Sequence, residues 1–412
     1  MQIYRVGGAV RDRLIDYPCS ENDWVVIGST PEKMIDLGYR PVGREFPVFI
    51  HAETGEEYAL ARTERKSGHG YKGFEFYTSP DISLEDDLLR RDLTINAMAE
   101  DSAGQIIDPY GGQRDIQAKV LRHVSDAFIE DPLRVLRVAR FAARYNHLGF
   151  TIAPETAALM KAIVDAGELE YLIPERVWKE LDRALQEPSP DIFIEVLRQC
   201  GALKVILPEV DNLFGVPQRA DYHPEIDTGI HTLMALQQAA KLSANGAIRF
   251  AVLVHDLGKA VTPDYVLPSH KGHEARGLPL VKNLCDRLRV PNEYRQLAIA
   301  VTEYHLLCHK ALELRAQTVL KLLSGVGALK NPQKLKDFTL CCEADARGRT
   351  GFEDRPYPST NYLAKALDVV SAVDISDLVE AGVDGSEIGR QLKLRQIAAL
   401  TEHRQNYSQQ QD

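Results

Sequence analysis

Ile3-Tyr4-Arg5-Val6-Gly7-Gly8-Ala9-Val10-Arg11-Asp12-Arg13-Leu14-Ile15 sets a short β run before a double glycine and a further apolar stretch after it. This order predicts a strand that feeds a helix through a tight turn. Two glycines at such a turn let backbone N–H groups approach a phosphate, with the helix N-terminus favouring the negative charge. Arg11 adds a forked donor for phosphate oxygens. A Gly-Gly before a helix is also an ordinary tight turn, so this segment alone leaves both readings open.

Around it, residues 24–27, 48–50 and 58–61 are further short runs rich in Val, Ile and Tyr, bounded by turn residues. From about Asp86 onward the apolar period becomes helical and stays so, over 130–145, 153–165, 174–186, 192–200, 231–242, 248–257 and 278–289. The fold class is therefore α+β: a small α/β head followed by a long all-helical body. Pro- and Gly-bearing joints fall at 187–191, 214–227 and 347–361, the second being the best domain boundary.

The 412 residues are enough for two to three domains. A net charge of −10 gives no global reason to expect a nucleic-acid partner, so a polyanion would need local basic patches. Six cysteines without a CxxC pair fit reduced thiols in a cytosol better than a zinc site or a disulfide framework. No apolar run of signal-peptide length opens the chain, and none approaches the ~18 residues of a membrane helix. A cytoplasmic protein with no membrane partner is expected.

Three more segments of the first half carry chemistry. In Glu21-Asn22-Asp23-Trp24-Val25-Val26-Ile27, Glu21 and Asp23 share one face of a predicted strand. Paired hard oxygens suit Mg²⁺ with substrate phosphates completing the shell; two solvated acids at a strand end is the bland alternative. Leu89-Arg90-Arg91-Asp92-Leu93-Thr94-Ile95-Asn96-Ala97 sets two arginines and an acid at the start of a predicted apolar helix. Asp92 is there either an N-terminal cap, or, with Asn96, a ribose contact beside Arg91 on phosphate. On the predicted helix from Glu130, residues Glu130, Asp131, Arg134 and Arg137 share about a third of the circumference, and Arg140 and Arg144 continue the stripe. Asp131 and Arg134 either form an i, i+3 ion pair or offer an acceptor and a forked donor to the edge of a base.

Together GGAVRD, ENDWVV, RRDLTINA and EDPLRVLRVARF, in that order over about residues 1–150, resemble the class II tRNA nucleotidyltransferases of the polymerase-β superfamily. The resemblance implies that Gly8 and Arg11 bind the incoming nucleotide, that Glu21 and Asp23 hold Mg²⁺, and that Arg91 and Asp92 contact nucleotide. It further implies that Asp131 and Arg134 select CTP or ATP and that Arg137 and Arg140 hold the triphosphate. The first metal ligand is usually aspartate in that family; here it is Glu21. Residues 62–73, with three glycines and four basic residues, read as a cationic loop or an ordinary hairpin. A loop here supports the switch from C to A addition in that family.

Arg176 and Lys179 share a predicted helix with Trp178, itself a core candidate, and are where phosphates of a tRNA acceptor stem would lie. Arg249-Phe250-Ala251-Val252-Leu253-Val254-His255-Asp256-Leu257-Gly258-Lys259 is an apolar helix that ends in His-Asp. Burying that pair is costly without a partner, and a divalent metal is a natural one. With His231 one helix earlier, and His273, His305 and Asp345 as completions, the order His, His-Asp, Asp resembles the HD phosphohydrolases. Glu343 competes with Asp345, and His270 and His309 read as surface or packing histidines.

The resemblances divide the chain into a nucleotidyltransferase head (1–140), a helical neck (141–224), an HD domain (225–330) and a helical tail (331–412). They imply template-independent addition of C, C and A to tRNA from CTP and ATP with Mg²⁺. A phosphatase, 2′-nucleotidase or 2′,3′-cyclic phosphodiesterase using a divalent transition metal such as Ni²⁺ is implied for the HD domain, in a monomer or weak homodimer. Alternatives are a bacterial poly(A) polymerase, an RNA chaperone, and an HD-type nucleotide hydrolase with a degenerate head.

Overall fold

The computed structural model describes residues 1–18, 22–42, 48–66 and 74–409; Glu21 and most of the 62–73 loop expectation lie outside them. Two compact units divide the chain, Met1–Ile206 and Leu207–Asp412.

The first unit opens as the sequence predicts, with β1 (Gln2–Val6) passing through Gly7 into α1 (Gly8–Leu14). β2 (Asp23–Ile27) pairs antiparallel with β1. After α2 (Pro31–Asp36) come β3 (Arg40–Val42), β4 (Val48–Ile50) and β5 (Glu57–Leu60). With β8 (Ala99–Glu100) and β9 (Ile106–Ile107) they form a seven-stranded sheet of order β3-β4-β5-β2-β1-β8-β9, parallel only at β2–β5. Both faces are covered. Successive residues of β2 point to opposite sides, so Val25 joins Val6, Leu84, Leu88 and Ala99 while Val26 joins Met34, Phe49 and Leu60. Asp23 shares the Val25 face and stands exposed where that apolar face ends. β6 (Arg62–Lys66) and β7 (Phe74–Thr78) form a separate hairpin.

The expected unbroken helical pattern after Asp86 is corrected: β8 and β9 extend the sheet, and β10 (Val120–Leu121) pairs parallel with β11 (Thr151–Ile152). The helix expected to begin at residues 89–97 is also absent. α3 (Leu84–Leu89), started by a Ser83–Asp86 capping box, ends there, and only a 3₁₀ turn over Thr94–Asn96 follows. After α4 (Gly112–Ala118), α5 (Leu133–Tyr145) starts three residues later than expected because Pro132 occupies its N-cap. α6 (Pro154–Asp165), α7 (Pro174–Gln186) and α8 (Pro190–Gln199) complete this unit's main helices, with α7 and α8 packed on α5.

In the second unit, helices Thr228–Leu242, Gly246–Val254, Asn292–His309 and Gln333–Arg347 pack on one another. Gly246–Val254 is buried along its whole length. His273–Leu288 packs against the 3₁₀ turn Leu257–Val261, and Ala316–Val326, Ser359–Ser371 and Gly385–Gln409 follow as a helical tail. The five described cysteines are free and buried. No helix among the described residues is long and apolar enough to cross a membrane.

Candidate active sites

The first unit holds a cavity of about 560 Å³. Gly8, Arg11, Asp23, Arg91, Asp92, Asp131, Arg134, Arg137 and Arg140 all line it, so the four sequence segments converge on one place. Among the described residues ten arginines and no lysine line it, with the carboxylates Asp23, Glu57, Asp87, Asp92 and Asp131. Planar guanidinium forks suit several phosphates at once. Arg183, Glu57 and Asp87 also reach this wall; none was singled out in the sequence because none stands in a recognisable motif.

Most of these arginines are held by a partner. Arg11 stacks with its guanidinium carbon 5.0 Å from the Phe141 ring centroid and 5.2 Å from that of Tyr145. It donates to Asp12 and to Asn96, and Asp12 in turn accepts from the Tyr145 hydroxyl at 2.6 Å. Gly7 has φ +68°, and a Cβ there would sit 2.7 Å from an Arg91 nitrogen, so only glycine both makes this turn and leaves Arg91 its place. Arg90 and Arg91 share buried Asp87, at 2.9 and 3.3 Å. Burial pushes that carboxyl up, but the two guanidiniums outweigh it and hold it below the usual range.

Asp92 is not the cap of a helix. Its carboxylate is buried and accepts from the Leu93 N–H, the Asn96 amide and Arg137 Nε, the last at 2.7 Å. Burial opposes the charge, yet Arg137 and Asn96 hold its pKa well down. Its present work is to aim Arg137. Arg140 is held by Glu180 at 2.8 Å and Glu187 at 3.4 Å, with its guanidinium carbon 4.6 Å from Phe141.

Of the two alternatives for Asp131 and Arg134, the mutual ion pair is not formed; each makes other contacts. Asp131 accepts from the Leu133 N–H at 3.0 Å and pairs with Arg176 Nη2 at 3.2 Å. Arg134 donates to the Ala127 and Arg90 carbonyls at 2.8 and 2.6 Å. Acceptor and donor are thus fixed separately, each in a set direction. Arg176, expected beside tRNA phosphates, is an Asp131 partner.

The second unit gathers the other set. Ligand atoms of His231, His255 and Asp345 lie within 4.8 Å of one another, as do those of Asp256, His273 and His305. His231 Nε2 is 3.0 Å from Asp345, His255 Nε2 is 3.2 Å from Asp256 Oδ2, and His273 Nε2 is 3.1 Å from Asp256 Oδ1. Four imidazoles are oriented alike: Nδ1 of His231, His255, His273 and His305 lies 2.7–3.0 Å from the carbonyls of Gly348, Val252, His270 and Val301. Each Nε2 is thereby turned inward, the arrangement metal-binding histidines use. His255 Nε2 and Asp256 Oδ1 are buried, and their approaches of 3.2 and 3.1 Å to Asp256 Oδ2 and His273 Nε2 lack hydrogen-bond geometry, which fits a bound cation.

Two of these imidazoles are strongly perturbed in opposite directions. Burial lowers the His255 pKa, but Asp256 and Asp345 outweigh it and raise it to about 10, so a proton and a metal would compete for this nitrogen. His305 is pushed down to about 3, chiefly by burial. His309, expected at the surface or in packing, instead meets Asp345 Oδ2 at 2.7 Å and the Tyr357 hydroxyl at 2.9 Å. His270 is buried between Thr262 and the Pro217 carbonyl. Glu225, bridging His223 and His231, went unremarked in the sequence because it stands in a Pro-bearing stretch without periodicity.

Gly258 makes the second trio geometrically feasible. A Cβ there would lie 1.9 Å from the His273 carbonyl oxygen and 2.6 Å from the Gly277 nitrogen. Only glycine lets the turn after Asp256 lie against the helix that carries His273.

Comparisons with known proteins find relatives of both units. Residues 3–122 match the poly A polymerase head domain, 149–214 the probable RNA and SrmB-binding site of polymerase A, and 228–342 the HD domain. The multifunctional CCA protein of Thioalkalivibrio sulfidiphilus is 60% identical over 400 residues, covering 97% of this chain and 98% of that one. That of Teredinibacter turnerae is 57% identical over 403 residues, with 97% and 98% covered. Among solved structures, an apo CCA-adding enzyme superposes with TM-score 0.66 at 21% identity, covering 100% of this chain and 92% of that one. The Thermotoga maritima CCA-adding enzyme complexed with tRNA gives 0.63 at 20% identity, with 100% and 92% covered. At these identities the structures speak to the fold, while the sequence relatives are near enough to decide membership: the chain belongs to the multifunctional CCA protein family.

Proposed function

We propose that the first unit adds and repairs the terminal C, C and A of tRNA from CTP and ATP, releasing pyrophosphate. The observation that carries this is the separate fixing of Asp131 and Arg134 in a cavity lined by ten arginines among the described residues. Asp131 and Arg134 hold the base by its edge, and a uracil or guanine would leave their polar groups unpaired. Arg11, Arg91, Arg137 and Arg140 hold the triphosphate, oriented by Asn96, Asp87, Asp92 and Glu180 respectively. Asp23, with Glu21, would hold Mg²⁺, which lowers the pKa of the attacking 3′-hydroxyl and neutralises charge on the leaving pyrophosphate.

The second unit is a phosphohydrolase in this reading, acting as phosphatase, 2′-nucleotidase or 2′,3′-cyclic phosphodiesterase. His231, His255, Asp256 and Asp345, with His273 and His305, would hold a divalent transition metal, Ni²⁺ among the candidates, that supplies an activated water. The functional segments are 1–140, 141–224, 225–330 and 331–412.

The product ladder from tRNA lacking CCA tests the first activity. CTP alone should give two additions and CTP with ATP three. A long adenylate ladder would instead indicate a poly(A) polymerase, and no product a pure RNA chaperone or a degenerate head. Release of phosphate from p-nitrophenyl phosphate with Ni²⁺, Co²⁺ or Mn²⁺ tests the second.

A further inference from the structure

A second cavity, of about 840 Å³, opens beside the histidine cluster in the second unit. Lys259, His273 and His309 belong to both. Among the described residues seven Lys and Arg side chains line this cavity and no Asp or Glu does. That is a strong local excess in a chain of net charge −10.

Arg219 and Arg347 are paired with Asp221 and Glu343, and four of the remaining five cations fall into two sets. Lys259 and Arg349 touch the cluster: Lys259 Nζ is 2.6 Å from Asp256 Oδ2, and Arg349 Nη2 is 3.6 Å from Asp345 Oδ1. Lys259 is itself buried. These two suffice for a phosphate reacting at the cluster. Lys310 and Arg355 are exposed and outside ion-pair reach of either cluster carboxylate, so a single phosphate at the cluster leaves them unused. The same wall carries aromatic faces. The guanidinium carbon of Arg355 lies 5.0 Å from the Phe352 ring centroid, and that of Arg219 lies 5.2 Å from that of Tyr222. Aromatic rings beside cations are how proteins hold single-stranded nucleic acid, the rings stacking bases and the cations following the backbone.

We propose that this cavity binds the end of an RNA strand, with the terminal phosphate at the histidine cluster and the preceding phosphodiester on Lys310 and Arg355. The site then prefers an oligonucleotide end to a mononucleotide. This rests on the hydrolytic reading given above, which supplies the terminal phosphate as the reacting group.

The test measures binding and turnover separately on the full chain. In EDTA, where neither metal site is filled, the dinucleotide cytidylyl-adenosine bearing a 3′-phosphate and adenosine 3′-phosphate are titrated by calorimetry, with ATP as a third ligand. The dinucleotide should bind about tenfold more tightly than the mononucleotide, the lower end of what one stacked base and its phosphate contribute. In the Lys310→Ala/Arg355→Ala double variant that ratio should fall to near one, with mononucleotide affinity changed less than about twofold. Both side chains are exposed, so the variant keeps its fold, and any binding in the nucleotidyltransferase cavity is common to both proteins. A ratio near one in the wild type, or one that survives the double substitution, overturns the proposal. So does ATP binding as tightly as the dinucleotide through the same two residues, which would make the cavity a polyphosphate site. Turnover of the matching 2′,3′-cyclic phosphates with Ni²⁺ is scored apart: no hydrolysis, alongside an intact dinucleotide preference, would remove the hydrolytic reading and leave the binding site.

Discussion

Asp131 and Arg134 show how much selectivity a pair of side chains can carry when each is anchored elsewhere. Asp131→Ala removes the acceptor and takes one partner from Arg176 and from the Leu133 N–H. Discrimination against UTP and GTP, roughly 10²-fold or more in a site with unpaired polar groups, should then collapse, or CTP and ATP should be lost together. Unchanged kcat/KM for all four nucleotides would reduce Asp131 to a helix-capping residue. Asp92 makes a different prediction. Its carboxyl, like that of Asp87, is held below the usual range by arginine partners that outweigh burial. A depressed carboxyl contributes stability that is full above the unfolded value of about 3.9 and is lost as pH falls through the folded value. Near-UV circular dichroism should therefore show the first unit losing its packing in acid before its helices melt. Asp92→Asn should cost about 2–3 kcal/mol at neutral pH, less than a fully buried pair would, because Arg137 keeps some water. An unchanged Tm would mean that the Asp92–Arg137 pair adds nothing to stability. The head residues were legible because each motif is local, with spacing of one to four residues. Arg176 and His309 were not, because each finds its partner across a long stretch of chain, and Glu225 was not, because it stands in a Pro-bearing stretch without periodicity.

Among the elements, the longer helices up to Leu288 and the strands β1, β2, β4 and β5 followed from apolar period and turn residues. The two-residue strands β8 to β11 did not: two residues carry no periodicity, and register with a neighbour alone makes them strands. The region after α3 failed for a related reason. A buried polar network around Asp92, Asn96 and Arg137 fixes it where propensity would have continued a helix. The turn at Gly258 is an element whose whole geometry hangs on one missing atom. Gly258→Ala must move the His273 helix away from Asp256, at a cost of about 3 kcal/mol or more from forced overpacking. Differential scanning calorimetry should show a lower Tm, with phosphate release lost even where the chain remains folded. A normal Tm with full hydrolysis would mean that the close approach relaxes without consequence.

At the scale of the molecule, the two candidate centres lie in separate compact units, one built on a sheet and one on helices. Asp23→Ala should lower CCA addition by about 10³-fold, the several kcal/mol a metal contributes, and leave p-nitrophenyl phosphate hydrolysis near wild type. His255→Ala should do the reverse. Loss of both activities in either variant, with circular dichroism unchanged, would join what the fold keeps apart. The head cavity has one more property at this scale. Its described cations are all guanidiniums, which keep their charge across every pH at which the chain is folded and do not react with acylating agents. Acetylation of the protein's amines should therefore leave nucleotide affinity standing, whereas a dicarbonyl that condenses with guanidinium should abolish it, and bound CTP or ATP should shield the enzyme from that loss.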